Sequence, residues 1–179
     1  MVFSSKLKKI LITGSNSRFC KFLKKDMKNI NCLFPTKKTF NILDYTNMNN
    51  YLTKKKITHI IHIAGLSRPM DIHEKNINKS IELNIIATAN LVRLCNKFNI
   101  KIIYFSTNYV YPGNTGNYKE TDHLLPINNY AWSKLGGEAS VHLYKNSLIL
   151  RLCMTDYPFI HKKAIKGAKS SFIFNKSVS

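Results

Sequence analysis

The sequence predicts an α/β fold, a doubly wound parallel sheet held between helical layers in a three-layer αβα arrangement. Two observations carry that prediction. Short apolar runs that close on a small turn residue recur along the chain, and parallel strands buried on both faces have that composition. Between them lie stretches whose apolar residues recur at helical spacing, so consecutive strands are joined by right-handed crossovers and not by hairpins. A third observation bounds the answer: 179 residues suffice for one hydrophobic core and not for two full ones.

The elements follow in order. Lys9-Ile10-Leu11-Ile12-Thr13-Gly14 is the first strand, and a helix is expected from Ser17 to Lys28 on the stripe Phe19, Phe22, Leu23 and Met27. Cys32-Leu33-Phe34 is a brief second strand stopped by Pro35, and a short helix runs from Thr46 to Lys55. His59-Ile60-Ile61-His62-Ile63-Ala64 is the third strand, closed by Gly65. One long helix is expected from His73 to Phe98, with Ile77, Ile81, Ile85, Ala89, Val92 and Leu94 facing the core. Lys101-Ile102-Ile103-Tyr104-Phe105-Ser106 is the fourth strand. Residues 108–128, rich in Gly, Asn and Pro, form a long loop of the kind that carries function. A helix from Tyr130 to Lys145 then leads into the fifth strand, Leu148-Ile149-Leu150-Arg151-Leu152.

The bulk numbers narrow the function classes. An apolar fraction of 44% and a charged fraction of 21% are ordinary for a soluble protein. No apolar run approaches the roughly 20 residues of a membrane span, so no membrane contact is expected. The basic N-terminus, with Lys6, Lys8 and Lys9, runs into Thr13-Gly14 too soon for a secretory signal. Cys20, Cys32, Cys95 and Cys153 form no C-x-x-C pair, which fits buried thiols in a reducing cytoplasm. The net charge of +19 invites a nucleic-acid reading, yet the lysines are scattered and only Arg18, Arg68, Arg93 and Arg151 are arginines. A compositional bias on solvated faces is the simpler account, and no nucleic-acid partner is expected. The excess charge would still attract anionic small molecules.

In a sheet of this kind ligands bind beyond the carboxyl ends of the strands. After the first strand, Gly14-Ser15-Asn16-Ser17-Arg18-Phe19-Cys20 has the spacing of a Gly-x-x-Gly-x-x-Gly phosphate loop with Ser17 and Cys20 at the second and third glycine positions. Taken alone it is either a dinucleotide loop or an ordinary strand-to-helix turn. The acidic residue that grips an NAD ribose is missing after the second strand, where Lys37-Lys38 follow. Those lysines, with Arg18, suit the 2′-phosphate of NADP, or are simply solvated. The sharpest pair is Tyr130-Ala131-Trp132-Ser133-Lys134. Four residues apart on a helix share a face, so the Lys134 ammonium is placed to lower the Tyr130 phenol toward useful acid–base chemistry. Ser106 and Thr107 reach the same sheet edge, where a hydroxyl can hold a reacting oxygen beside Tyr130.

The ordered motif Tyr104-Phe105-Ser106-Thr107-Asn108-Tyr109-Val110-Tyr111-Pro112-Gly113, then Tyr118-Lys119-Glu120-Thr121-Asp122, Pro126, Asn128 and Tyr130 through Glu138, resembles the extended short-chain dehydrogenase/reductases. Within them it is most similar to the dTDP-4-dehydrorhamnose reductase (RmlD-like) group, and a looser resemblance runs from Lys8 to Arg151. The resemblance implies a Rossmann domain over residues 1–155, with 156–179 as the remnant of a substrate-binding region or a tail. It also implies a catalytic triad in which Thr107 orients the substrate carbonyl, Tyr130 is the general acid, and Lys134 holds the ribose and tunes the tyrosine. Cofactor contacts are implied for Gly14, Asn16, Ser17, Arg18 and Phe19 in the phosphate loop, and for Asp44 and Tyr45 at the adenine, where Asp44 is otherwise a helix cap. Ala64, Gly65 and Leu66 would lie along the ribose and pyrophosphate, where Gly65 is otherwise a plain turn. Asn84 would steady the neighbouring strands, or be a satisfied core amide.

The implied activity is an NAD(P)-dependent reductase or epimerase-like reaction on a keto-deoxy nucleotide-sugar or another small anionic carbonyl compound, with NADP preferred to NAD. Two features depart from the pattern: the altered phosphate loop, and the few residues after Arg151, where the substrate region of that group is chiefly built. Tyr157-Pro158-Phe159 is either the rim of such a region or a packed tail. These departures support an alternative, a non-catalytic nucleotide-binding regulatory or assembly subunit that keeps the fold. A homodimer through the long helices, or a partner subunit, is expected.

Overall fold

A computed structural model describes residues 8–155 and 173–174. Five strands form one sheet: β1 (Ile10–Thr13), β2 (Cys32–Leu33), β3 (His59–His62), β4 (Lys101–Thr107) and β5 (Ser147–Leu152). Their order is β2-β1-β3-β4-β5 and every neighbouring pair is parallel. The chain leaves β1 toward β2 on one side and returns across it to β3 on the other. The reversal therefore falls between β1 and β3, where a crevice opens beyond the strand ends. The register aligns Thr13 with His62, so the two ends that flank the crevice finish level.

The described residues form six α-helices: α1 (Arg18–Asp26), α2 (Tyr45–Lys55), α3 (Ile72–Lys75), α4 (Ile77–Ser80), α5 (Ala87–Phe98) and α6 (Asn129–His142). Strand alternation divides the core in two. Leu11, Ile60, Ile102 and Tyr104 pack with Met48 and Leu52 of α2, Leu91 and Leu94 of α5 and Val141 of α6. Ile12 and Phe105 point the other way, against Phe19, Cys20 and Leu23 of α1. Both faces of the sheet are thus covered, which is the layering that near-continuous apolar strands require. A further pair, Met154–Thr155 with Ile173–Phe174, runs parallel outside the main sheet. Tyr157-Pro158-Phe159 lies outside the described residues.

The long helix expected from His73 to Phe98 is interrupted. Asn76 adopts φ −142°, ψ 77° and caps α4 by accepting from the Lys79 amide, and Ile81–Ile86 widen into a π-helix before α5 begins. Ile77 and Ile81, expected to face the core, are 55% and 37% exposed. The widened turn contains Asn84, 1% exposed, whose side chain leaves the helix to bind a neighbouring loop; such π-turns recur where a helix serves a site. Cys20 and Cys95 are buried, whereas Cys32 and Cys153 are only half-buried, and all four are free thiols.

The loop after β4 is pinned from below. Arg151 donates to both carboxylate oxygens of Glu138 at 2.9–3.2 Å and to the Tyr111 hydroxyl at 2.8 Å. Its guanidinium lies over the Tyr111 ring, which stacks in parallel on Tyr118 at 4.8 Å. The Glu138 side chain is 3% exposed, so this ion pair ties β5, α6 and the loop together out of solvent. Among the described residues no helix is long and apolar enough to cross a membrane, and no cluster of metal-ligating side chains occurs.

Candidate active site

An open cavity of about 1830 Å³ lies at the carboxyl ends of the strands. Gly14 forms its floor in the left-handed region, φ 75°, where a Cβ would stand 2.9 Å from the Ala64 amide nitrogen. Only glycine allows β1 and the loop after β3 to approach so closely. Ser17 then caps α1, its hydroxyl accepting from the Cys20 amide at 3.2 Å, and leaves the first N–H groups of the helix at the cavity, the arrangement that favours anions. Cys20 fills the contact between α1 and β1 completely, its sulfur 4.0 Å from the Thr13 carbonyl. Gly14, Asn16, Ser17, Arg18 and Phe19 all line the cavity.

Thr13 organises the crossing point. Its hydroxyl oxygen accepts from the Ile63 and Ala64 amides at 3.1 Å, so its proton goes to His62 Nδ1 at 2.8 Å. That assigns the His62 tautomer: Nε2–H donates to Thr88 Oγ1 at 3.2 Å. Complete burial, and secondarily the Lys134 charge, push the His62 imidazole down to about 3, so it stays neutral. The loop that leaves β3 is held by Asn84, whose Oδ1 accepts from the Leu66 amide at 2.7 Å and whose Nδ2 donates to the Leu66 carbonyl and Ser133 Oγ. Asn84 thus joins loop and α6, and lies behind the cavity wall that Ala64, Gly65 and Leu66 form.

Asn128 begins α6 by accepting from the Ala131 amide at 2.8 Å, which turns Tyr130 and Lys134 into the same cavity. Tyr130 lies beside Thr107, whose interaction with the phenol pulls its pKa down and whose Oγ1 accepts from the Tyr109 amide at 3.3 Å. Burial pushes the Tyr130 phenol up to about 12, against the pull of Thr107. Lys134, 6% exposed, is pushed by burial down to about 7, only partly offset by Glu138. The expected depression of the phenol by the ammonium is therefore not the arrangement found. Burial penalises the charged form of each group, the phenolate of Tyr130 and the ammonium of Lys134, so the first is pushed up and the second down.

The structure brings Thr107, Tyr130, Lys134, the Gly14 loop and Lys37 to one cavity, and leaves others out. Asp44 caps α2, its carboxylate accepting from the Asn47 amide at 2.9 Å, and Tyr45 packs under Arg93; the wall there is Asn41, Ile42 and Leu43. Three wall residues were given no site role in the sequence reading: Arg68, whose charge reaches Tyr130, Tyr109, whose ring meets Tyr130 edge-on at 6.5 Å, and Cys153. Cys153 follows β5 directly, and burial raises its thiol to about 11. Its position one residue past a strand end is where ligands bind in a sheet of this kind.

The family described as RmlD substrate binding domain matches residues 8–155. Methionine adenosyltransferase 2 subunit beta of Pongo abelii is 28% identical over 143 residues, covering 75% of this chain and 42% of that protein. A probable low-salt glycan biosynthesis reductase, Agl14, of Haloferax volcanii is 34% identical over 113 residues, covering 62% of this chain and 37% of its own length. The crystal structure of dTDP-4-dehydrorhamnose reductase from Bacillus anthracis in complex with NADP superposes with a TM-score of 0.76 at 23% identity, covering 83% of this chain and 55% of that one. This chain spans less than half the length of those two curated relatives. With the match extending over nearly all the described residues, the chain belongs to the RmlD substrate binding domain family.

Proposed function

We propose that the chain is the nucleotide-binding part of an NAD(P)-dependent reductase or epimerase-like enzyme acting on a keto-deoxy nucleotide-sugar, with NADP the preferred cofactor. The observation that carries this reading is the placement of Thr107 beside Tyr130, with Lys134 one turn further on, all three in the cavity that the Gly14 loop floors. A dinucleotide fits the residues present: the Gly14–Ala64 approach leaves backbone open to a pyrophosphate, and the α1 N-terminus faces the same space. Lys37 and Arg18 in the wall, with no acidic side chain among the described residues lining that part of it, favour a 2′-phosphate.

Bound NADPH would supply hydride to the substrate carbonyl carbon. Thr107 would hold the carbonyl oxygen, and Tyr130 would give it the proton. A phenol held near 12 is fully protonated at neutral pH, as a donor must be, and the alkoxide it meets is the stronger base. Lys134 would hold ribose hydroxyls and, charged, stabilise the tyrosinate left behind. NADPH oxidation with 4-keto-6-deoxy nucleotide-sugars is the test. Tyr130→Phe is expected to lose about 10²–10⁴-fold in rate with the fold intact. Equal turnover by the two proteins would end the catalytic assignment.

A second reading is favoured by the relatives named as a subunit of methionine adenosyltransferase 2: a nucleotide-binding subunit without turnover of its own. Cofactor binding without reduction of any keto-sugar, together with a stable complex with a partner subunit, would select it. Robust turnover by the chain alone would remove the need for it.

A further inference from the structure

Lys134 takes a cation into the interior without an ion-pair partner among the described residues. Glu138, one turn on along α6, attracts it from further off, but that carboxylate is already held by Arg151. The other groups around it are the neutral His62 of β3, Tyr130 on its own helix, Asn84 with its amide committed to Leu66 and Ser133, and Gly65, where an added Cβ would stand 4.0 Å from Nζ. What the ammonium rests on is a ring: Nζ lies 4.1 Å from the centroid of Tyr104 in β4. The quadrupole of an aromatic face attracts a cation there, and does so more strongly away from water.

The ring is held in place from several sides. Tyr104 is fully buried, packs on His62 with centroids 5.6 Å apart, and donates its hydroxyl to the Lys134 carbonyl at 3.3 Å. Gly137 makes the approach possible, because a Cβ there would stand 2.5 Å from the Tyr104 hydroxyl oxygen. The same helix that carries Lys134 is thus shaped, one turn later, to admit the side chain beneath its ammonium.

We propose that Tyr104 is a positioning residue for the cofactor site: its ring face keeps the Lys134 ammonium charged and directed into the cavity. This deepens the reading in which Lys134 serves a bound dinucleotide. The test titrates Lys134 directly, by NMR of ¹³C-labelled lysine in the folded protein, with the resonance assigned through Lys134→Met. Tyr104→Phe keeps the ring face and is expected to leave the midpoint unchanged. Placing 3,5-difluoro- and 3,4,5-trifluorophenylalanine at position 104 drains the ring face without changing its shape. The midpoint is then expected to fall stepwise, by between about 0.4 and 1.5 pH units in all. Tyr104→Leu, if it folds, should match the end of that series. A midpoint that stays put along the fluorinated series overturns the proposal. Addition of NADPH or NADH reports separately on the cofactor reading: if neither raises the midpoint, that reading fails while the ring series still decides the role of Tyr104.

Discussion

Cofactor binding should consume a proton above neutral pH. Lys134 is held at about 7 in the free protein because its ammonium is buried. A dinucleotide brings ribose hydroxyls and phosphate charge to that ammonium and favours its protonated form. The sign follows: below about pH 6 the lysine is already charged and binding leaves it so, whereas at pH 8 only about a tenth of the free protein carries the proton, which binding must then recruit. The dissociation constant is therefore expected to be flat on the acid side and to rise up to tenfold per pH unit above 7. Calorimetric titration in two buffers of different ionisation enthalpy measures the uptake, near zero at pH 6 and approaching one proton at pH 8. NADH serves beside NADPH, because it lacks the 2′-phosphate and its own titration. Equal uptake at both pH values, with either cofactor, would show that Lys134 does not meet the dinucleotide.

Three further outcomes are open to measurement. Lys134→Met should raise stability by a few kcal/mol at pH 6, because the lysine's folded value lies below its unfolded one; the gain should shrink as pH rises from 7 toward 10, and unfolding midpoints of the two proteins across that range check it. Arg151→Met leaves the 3% exposed Glu138 side chain unpaired and should cost about 3–5 kcal/mol in denaturant unfolding, with part regained in the double variant Arg151→Met/Glu138→Leu. Cys20→Gly restores the glycine of the usual phosphate loop but empties a filled helix–strand contact, so it should destabilise by about 1–3 kcal/mol without tightening NADPH binding; a tighter dissociation constant would count against that account of the loop.

The strands were legible because each is a short apolar parallel run, and in β1, β3 and β4 burial between the helical layers leaves composition little freedom. The positions of Thr107, Tyr130 and Lys134 were legible for a related reason: a strand end and an i, i+4 spacing fix where side chains emerge whatever surrounds them. The break at Asn76 was not, since a capping asparagine and a helical one look alike until the chain has a reason to turn. Ile77 and Ile81 fitted a stripe that the π-turn rotates out of the core. Asp44 fitted two roles, and the structure shows it capping α2. The electrostatic balance between Tyr130 and Lys134 was hidden because spacing gives proximity and not burial, and burial is the largest influence on both.

The same burial bears on the choice between enzyme and silent subunit. A lysine with no ion-pair partner among the described residues destabilises the fold at neutral pH, and a methionine of similar length would remove the cost. Within the protein, the ring beneath it and a distant carboxylate offset only part of that penalty. An anion or a set of ribose hydroxyls in the cavity would supply the rest, so the lysine fits the proposed dinucleotide under either reading. It does not argue for turnover. That question falls to the Thr107–Tyr130 pair, because a protein that only held the cofactor would need the ammonium but would have no use for a proton donor at the carbonyl. Tyr130→Phe and its parent separate the two: reduction by the parent that the variant loses with cofactor affinity intact marks the enzyme, and cofactor binding with no reduction by the parent marks the subunit.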